Sequence, residues 1–195
     1  MYNKINKGNI LYSFLKVIYA ILLKILFNPK VYGVENIPEG EGIILAGNHK
    51  CFIDPVVVMN STKRRVYFMA KAEVFKGPIG WIFKRIGLIK VDRSKNNPLA
   101  VIEAEKILKN GEVLGIFPEG TRNKTDKEIL RFRYGTVSIA KRANVKIVPF
   151  AIKGVYKVFR SNLQIEFSKP LDVINLEIEE ANKLLENEVI NLLRK

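Results

Sequence analysis

This chain is short of cysteine, of histidine and of acid relative to base. The single cysteine, Cys51, excludes an intramolecular disulfide and gives no sign of an oxidising compartment. One histidine, His49, with one cysteine leaves too few ligands for a zinc site, and no metal is expected. Aspartate and glutamate number 19 against 33 lysines and arginines, a formal net charge of +14. That imbalance calls for an anionic partner: a phosphate substrate, an acidic protein, an anionic membrane surface or nucleic acid. No interleaved aromatic-basic stripe and no nucleic-acid motif is present, so nucleic acid is not the expected partner. Internal repeats, low-complexity tracts and Pro/Ser-rich linkers are missing too. The 195 residues suffice for one well-buried core.

An unbroken apolar run long enough to cross a bilayer is also lacking. Residues Ile10 to Phe27 are apolar but interrupted by Ser13, Lys16 and Lys24. The longest clean stretch, Val17 to Leu23, covers about 10 Å against roughly 30 Å of hydrocarbon. Asn9, Ser13, Lys16, Ala20 and Lys24 recur at steps of three and four, a narrow stripe on an otherwise apolar helix. A mid-helix lysine facing lipid costs roughly 2.5–3.5 kcal/mol, which favours a helix lying in the interface over a spanning one. Lys4, Lys7 and Lys30 suit an anionic cytoplasmic leaflet. A signal peptide fits less well: Lys24 follows the apolar core and no small-x-small site precedes Asn28-Pro29. The expected organisation is an amphipathic membrane-docking helix over 1–28, on the cytoplasmic face of the cell membrane, and one domain over 29–195.

What the chain does have is the stretch Ala46 to Pro55, with His49 and, five positions on, Asp54. Gly42 to Ala46 reads as a buried strand. Asp54-Pro55 reads as a helix start, with Asp54 as N-cap and Pro55 first in the helix. Across such a strand-loop-helix turn the two side chains can converge. An aspartate bonded to one imidazole nitrogen fixes the tautomer and frees the other nitrogen to take a proton. The pattern is loose when taken alone: Asp54 could cap a helix and His49 be an ordinary satisfied histidine.

Strands are expected at Val31–Val34, Gly42–Ala46, Val66–Ala70, Leu88–Val91, Val113–Phe117, Lys146–Ile152 and Leu163–Phe167. Helices are expected from Pro55, over Pro78–Ile86, from Pro98 to Asn110-Gly111, over Thr136–Ala143 and over Leu176–Leu193. The alternation predicts an α/β fold with a mixed, mostly parallel sheet flanked by helices. His49, Lys71, Arg93 and the Glu119 to Arg122 turn all fall at strand ends, where ligands collect in open α/β sheets. Phe117 to Arg122 reads as a tight turn whose glycine lets backbone approach an anion and whose Arg122 can grip phosphate with two prongs. The tripeptide Pro38-Glu39-Gly40 occurs as well, as a plain turn, so Pro-Glu-Gly by itself means little.

In order and spacing, four blocks resemble the glycerolipid acyltransferases of the 1-acylglycerol-3-phosphate acyltransferase type. Asn48 to Asp54 is similar to their first motif, Gly87 to Arg93 to the second, Phe117 to Arg122 to the third and Val148-Pro149-Phe150 to the fourth. Lys90 stands where the family often has an apolar or aromatic residue. The resemblance implies that His49 is the general base and Asp54 its orienter. It implies that Arg93, Glu119, Gly120, Thr121 and Arg122 shape a phosphate site, assisted by Lys71. The implied reaction is direct acyl transfer from a coenzyme A or acyl carrier protein thioester to the sn-2 hydroxyl of lysophosphatidic acid, giving phosphatidic acid, with no cofactor. Cys51 is read as loop filler, not as nucleophile. The alternatives are the same chemistry on glycerol-3-phosphate, another lysophospholipid or an amino-acid lipid, and a basic membrane- or nucleic-acid-binding protein without catalysis.

Overall fold

A computed structural model describes residues 2–76, 88–91, 98–159 and 162–195, with all their side chains except those of 2–9 and 74. Within them one sheet contains β1 (Lys30–Tyr32), β2 (Ile43–Gly47), β3 (Val66–Lys71), β4 (Ile89–Val91), β5 (Val113–Ile116), β6 (Lys146–Lys153) and β7 (Gln164–Phe167). The helices are α1 (Tyr2–Leu26), α2 (Asp54–Asn60), α3 (Pro98–Lys109), α4 (Gly135–Ala143) and α5 (Ile178–Arg194). The strand order is β1-β7-β6-β2-β5-β3-β4. Neighbours run parallel except β6 and β7, so the expected mixed, mostly parallel α/β sheet is what forms. The helix expected over Pro78–Ile86 lies outside the described residues.

Helices cover both faces, which is why β2 is apolar at every position. Ile43 and Leu45 face one cluster with Val57 and Val58 of α2 and Tyr12 and Leu23 of α1. Ile44 and Ala46 face the other, with Ala104 and Leu108 of α3, Val137 and Ala140 of α4, and Leu185 and Val189 of α5. Each fully buried Val, Leu or Ile among them contributes about 1.5–3 kcal/mol. Pro149 stands inside β6 although it has no N–H to donate. The sheet accommodates it because the β6–β7 ladder begins only at Phe150, opposite Phe167, the last residue of β7. The Ser168 N–H reaches the Pro149 carbonyl at 2.8 Å, and pairing resumes as a bridge between Ile147 and Leu171.

α1 has two unlike sides. Inward, the Tyr12 hydroxyl accepts the Val66 N–H at 3.1 Å, and Leu23 and Phe27 are buried. Lys16, expected on the polar stripe, turns inward: its ammonium donates to the Thr62 carbonyl at 2.5 Å. The reason is local, for the carbonyls just past the end of α2 lack helical partners. Outward, Ile10, Phe14, Val17, Ile18, Ile21, Leu22 and Ile25 are exposed. At 100° per residue these seven fall in one arc, with Ser13 and Lys24 at its border. Among the described residues, no helix is long and apolar enough to cross a membrane.

β2, β5 and β6 are adjacent and parallel, so their carboxyl ends meet at one edge. The chain leaves β2 towards β3 on one side and finds β6 on the other, the topological arrangement that opens a crevice at strand ends.

Candidate active site

The site begins where β2 ends. A Cβ on Gly47 would lie 2.2 Å from the Phe150 carbonyl oxygen and 2.6 Å from its ring, so only glycine lets β2 and β6 come this close. Asn48 then extends the pairing with its side chain. Its amide donates to the Ile152 carbonyl at 3.0 Å and its oxygen accepts the Ile152 N–H at 2.7 Å. His49 follows, held through its backbone by the loop after β5. Its N–H donates to Glu119 Oε1 at 2.7 Å, and its carbonyl accepts the Asn123 N–H at 2.6 Å.

His49 and Asp54 converge: Nδ1 lies 2.9 Å from Asp54 Oδ2. The Asp54 side chain is wholly buried, and that of His49 is 17% exposed. Asp54 is not the N-cap. That place belongs to Ile53, and Asp54 is the first helical residue. Its carboxylate turns back instead, taking the Lys50 and Cys51 N–H groups at 2.7 and 2.8 Å. A short loop with two free amides offers it a better partner than the helix it opens. The Tyr156 hydroxyl donates to the other oxygen, Oδ1. Burial, and then the neighbouring Asp54 charge, push the Tyr156 hydroxyl far above the ordinary tyrosine range, so it stays a donor. The Phe117 ring stacks on the imidazole, centroids 4.1 Å apart at 18°, and fixes its plane. With Nδ1 committed to Asp54, Nε2 has no hydrogen-bond partner among the described residues.

Glu119 works from inside. It is 3% exposed, and its two oxygens take the His49 and Leu130 N–H groups at 2.7 and 2.8 Å. Burial raises its carboxyl above the usual range, opposed by those two amides. Gly120 completes the turn in the left-handed region at φ +70°, its N–H on the Phe117 carbonyl at 3.0 Å. Thr121 and Arg122 follow at the exposed rim, and Lys71, last in β3, is exposed as well. Arg93 lies outside the described residues. The structure thus brings His49, Asp54 and Glu119 into one hydrogen-bonded unit, and Gly120 closes the turn that carries Glu119. Thr121 and Arg122 are carried beside it by the chain.

The loop that meets Glu119 is itself anchored by α5. Glu186 accepts the Phe132 N–H at 2.6 Å, and Asn182 donates to the Phe132 carbonyl at 3.2 Å. The Arg133 N–H returns to the Pro118 carbonyl at 2.9 Å. Cys51 is a free, partly buried thiol. No group of three or more His, Cys, Asp or Glu able to hold a metal occurs among the described residues. Sequence reasoning passed over Tyr156, Asn48, Phe117 and Asn123. Asn48 and Phe117 lie inside the quoted motif blocks, so a signal existed. Tyr156 meets Asp54 across 102 positions, and nothing local marks it.

This arrangement can take a proton at a fixed imidazole nitrogen beside an exposed basic rim, which suits transfer to a hydroxyl acceptor. Likeness to known proteins gives the family. A family model described as Acyltransferase matches residues 28–153. The 1-acyl-sn-glycerol-3-phosphate acyltransferase of Bacillus subtilis (strain 168) is 33% identical over 146 residues, 74% of this chain and 72% of the relative. The protein of the same name from Borreliella burgdorferi is 28% identical over 179 residues, 84% of this chain and 70% of the relative. The crystal structure of the 1-acyl-sn-glycerophosphate (LPA) acyltransferase PlsC from Thermotoga maritima superposes with a TM-score of 0.74 at 26% identity. That match covers 96% of this chain and 78% of the other. The chain belongs to the acyltransferase family, and it is an O-acyltransferase.

Proposed function

We propose that the chain moves a fatty acyl group from an acyl thioester, of coenzyme A or acyl carrier protein, to the sn-2 hydroxyl of lysophosphatidic acid. The names carried by its relatives support this acceptor. The observation that carries the chemistry is the buried Asp54 carboxylate on His49 Nδ1 with Nε2 left open. Asp54 holds the tautomer whose Nε2 lone pair accepts the acceptor's hydroxyl proton. The oxygen attacks the thioester carbonyl carbon, the carbon–sulfur bond breaks, and the departing thiolate takes the proton back from Nε2. A base held in this way contributes about 10²–10⁴ in rate. Thr121 and Arg122, with Lys71 and Arg93, would meet the acceptor phosphate. Glu119 and Gly120 hold the turn that carries the first two. The net charge of +14 suits both an acidic carrier and an anionic leaflet.

The outer arc of α1 would lie on the cytoplasmic face of the membrane, Ile10 through Ile25 in the acyl-chain boundary. The test is thiol release from an acyl thioester in the presence of lysophosphatidic acid. His49→Ala should lower the rate by about 10²–10⁴ with the fold intact. Equal rates for wild type and His49→Ala, or no acceptor-dependent release at all, would refute the reading. Sedimentation with vesicles tests the membrane half separately.

A further inference from the structure

The segment between β6 and β7 carries three exposed apolar side chains in five positions: Val155 at 57%, Val158 at 48% and Phe159 at 76%. Single exposed apolar residues are ordinary, but a cluster of this kind marks a contact surface. Phe159 stands at φ +60°, a backbone region that a bulky residue adopts only when something holds it there. Its N–H donates to the Leu26 carbonyl, the last residue of α1, at 2.9 Å. The segment is therefore fastened to the helix whose outer arc is itself apolar and exposed. Lys157 lies within it, and Lys24 and Lys30 flank the same end of α1, all three exposed. The one inward residue is Tyr156. Its ring packs edge-on against Phe27 at 5.5 Å, and its hydroxyl meets Asp54.

We propose that the segment 155–159 is a second membrane contact, with Val155, Val158 and Phe159 entering lipid beside the end of α1 while Tyr156 holds Asp54 from within. The occupant is an anionic bilayer, because the exposed apolar side chains share their segment with Lys157 and are fastened to the end of α1 that Lys24 and Lys30 flank. The inference rests on the membrane seating proposed above for α1 and extends it. It sets this contact in the segment whose Tyr156 bonds Asp54, the partner of His49.

The test uses the full chain with vesicles of phosphatidylglycerol, and of phosphatidylcholine for comparison. The emission difference between Phe159→Trp and the parent cancels the native Trp81. It should shift to shorter wavelength on phosphatidylglycerol vesicles and less on phosphatidylcholine. Phe159→Asp should weaken vesicle binding about tenfold or more. It should leave turnover of a short-chain, fully soluble acceptor unchanged, and Phe159→Leu should restore most of the binding. If the chain sediments with vesicles and the Phe159→Trp emission does not move, this inference fails and the seating of α1 stands. If the chain does not sediment, both fall. Equal loss of turnover on soluble and vesicle-borne acceptors would put Phe159 in the substrate site and also overturn it.

Discussion

The tripeptide Pro-Glu-Gly occurs twice, and what the two copies share is a left-handed glycine. Gly40 and Gly120 both sit in the left-handed region, at φ +79° and +70°. Glu39 is exposed to solvent, whereas Glu119 is buried and bonded to the amides of His49 and Leu130. A Cβ on Gly40 would meet nothing within 4 Å, and one on Gly120 would lie 2.8 Å from Arg133 Nε. The difference is one of place. Pro38 comes before β2, at its amino end; Pro118 follows β5, at the carboxyl edge that β5 shares with β2. Local sequence set a left-handed glycine twice, only the second copy closes a hydrogen-bonded turn, and the sheet order put that copy beside the histidine.

Removing each acid is the largest way to break that comparison. Glu119→Ala leaves two amides without acceptors, which should destabilise the fold by about 2–4 kcal/mol. The loosened His49 loop should also lower turnover about 10–100-fold. Glu39→Ala should stay within about 0.5 kcal/mol of wild type at full activity. Urea unfolding and thiol release measure both, and equal effects would dissolve the distinction. The glycines sharpen it. Gly40→Ala and Gly120→Ala should each cost about 1–2 kcal/mol in the left-handed region, yet only Gly120→Ala should reduce turnover.

A smaller effect concerns pH. Burial raises the folded Glu119 carboxyl above its unfolded value. Its contribution is therefore full below about pH 4.3, the ordinary glutamate value, and is lost as pH rises through the raised folded value. Relative to Glu119→Gln, wild type should lose stability between acid and neutral pH, read from urea midpoints. A difference that grows with pH would reverse the assignment. The smallest effect is expected at Cys51→Ala, which should keep turnover within about twofold, since the carboxylate meets the backbone of Cys51 and not its thiol. Loss of activity with the fold intact would make the thiol a participant.

The periodicities that carried the architecture were local. The apolar run of β2, the Pro98 start of α3 and the three- and four-residue steps of α5 each point to the element that forms. Boundaries moved by a residue or two: Val34 lies in a 3-10 turn and Phe117 just past β5. The pairing of His49 with Asp54 was legible because five residues across a strand-loop-helix turn bring two side chains together. The direction of the Asp54 carboxylate was not, because loop amides competed with the helix for it. Lys16 looked like surface on helical spacing, and only the placement of α2 gave its ammonium carbonyls to meet. Tyr156 and the α5 anchors Asn182 and Glu186 act on segments far along the chain, where spacing carries no signal.

The central claim is that His49 acts as a base because a buried Asp54 holds its tautomer. Asp54→Asn keeps the volume and removes the charge, so acceptor-dependent thiol release by this variant is the most direct measurement. The rate should fall by about 10²–10⁴ with the urea midpoint showing a folded chain. A folded Asp54→Asn that keeps turnover within about tenfold of wild type would contradict the account.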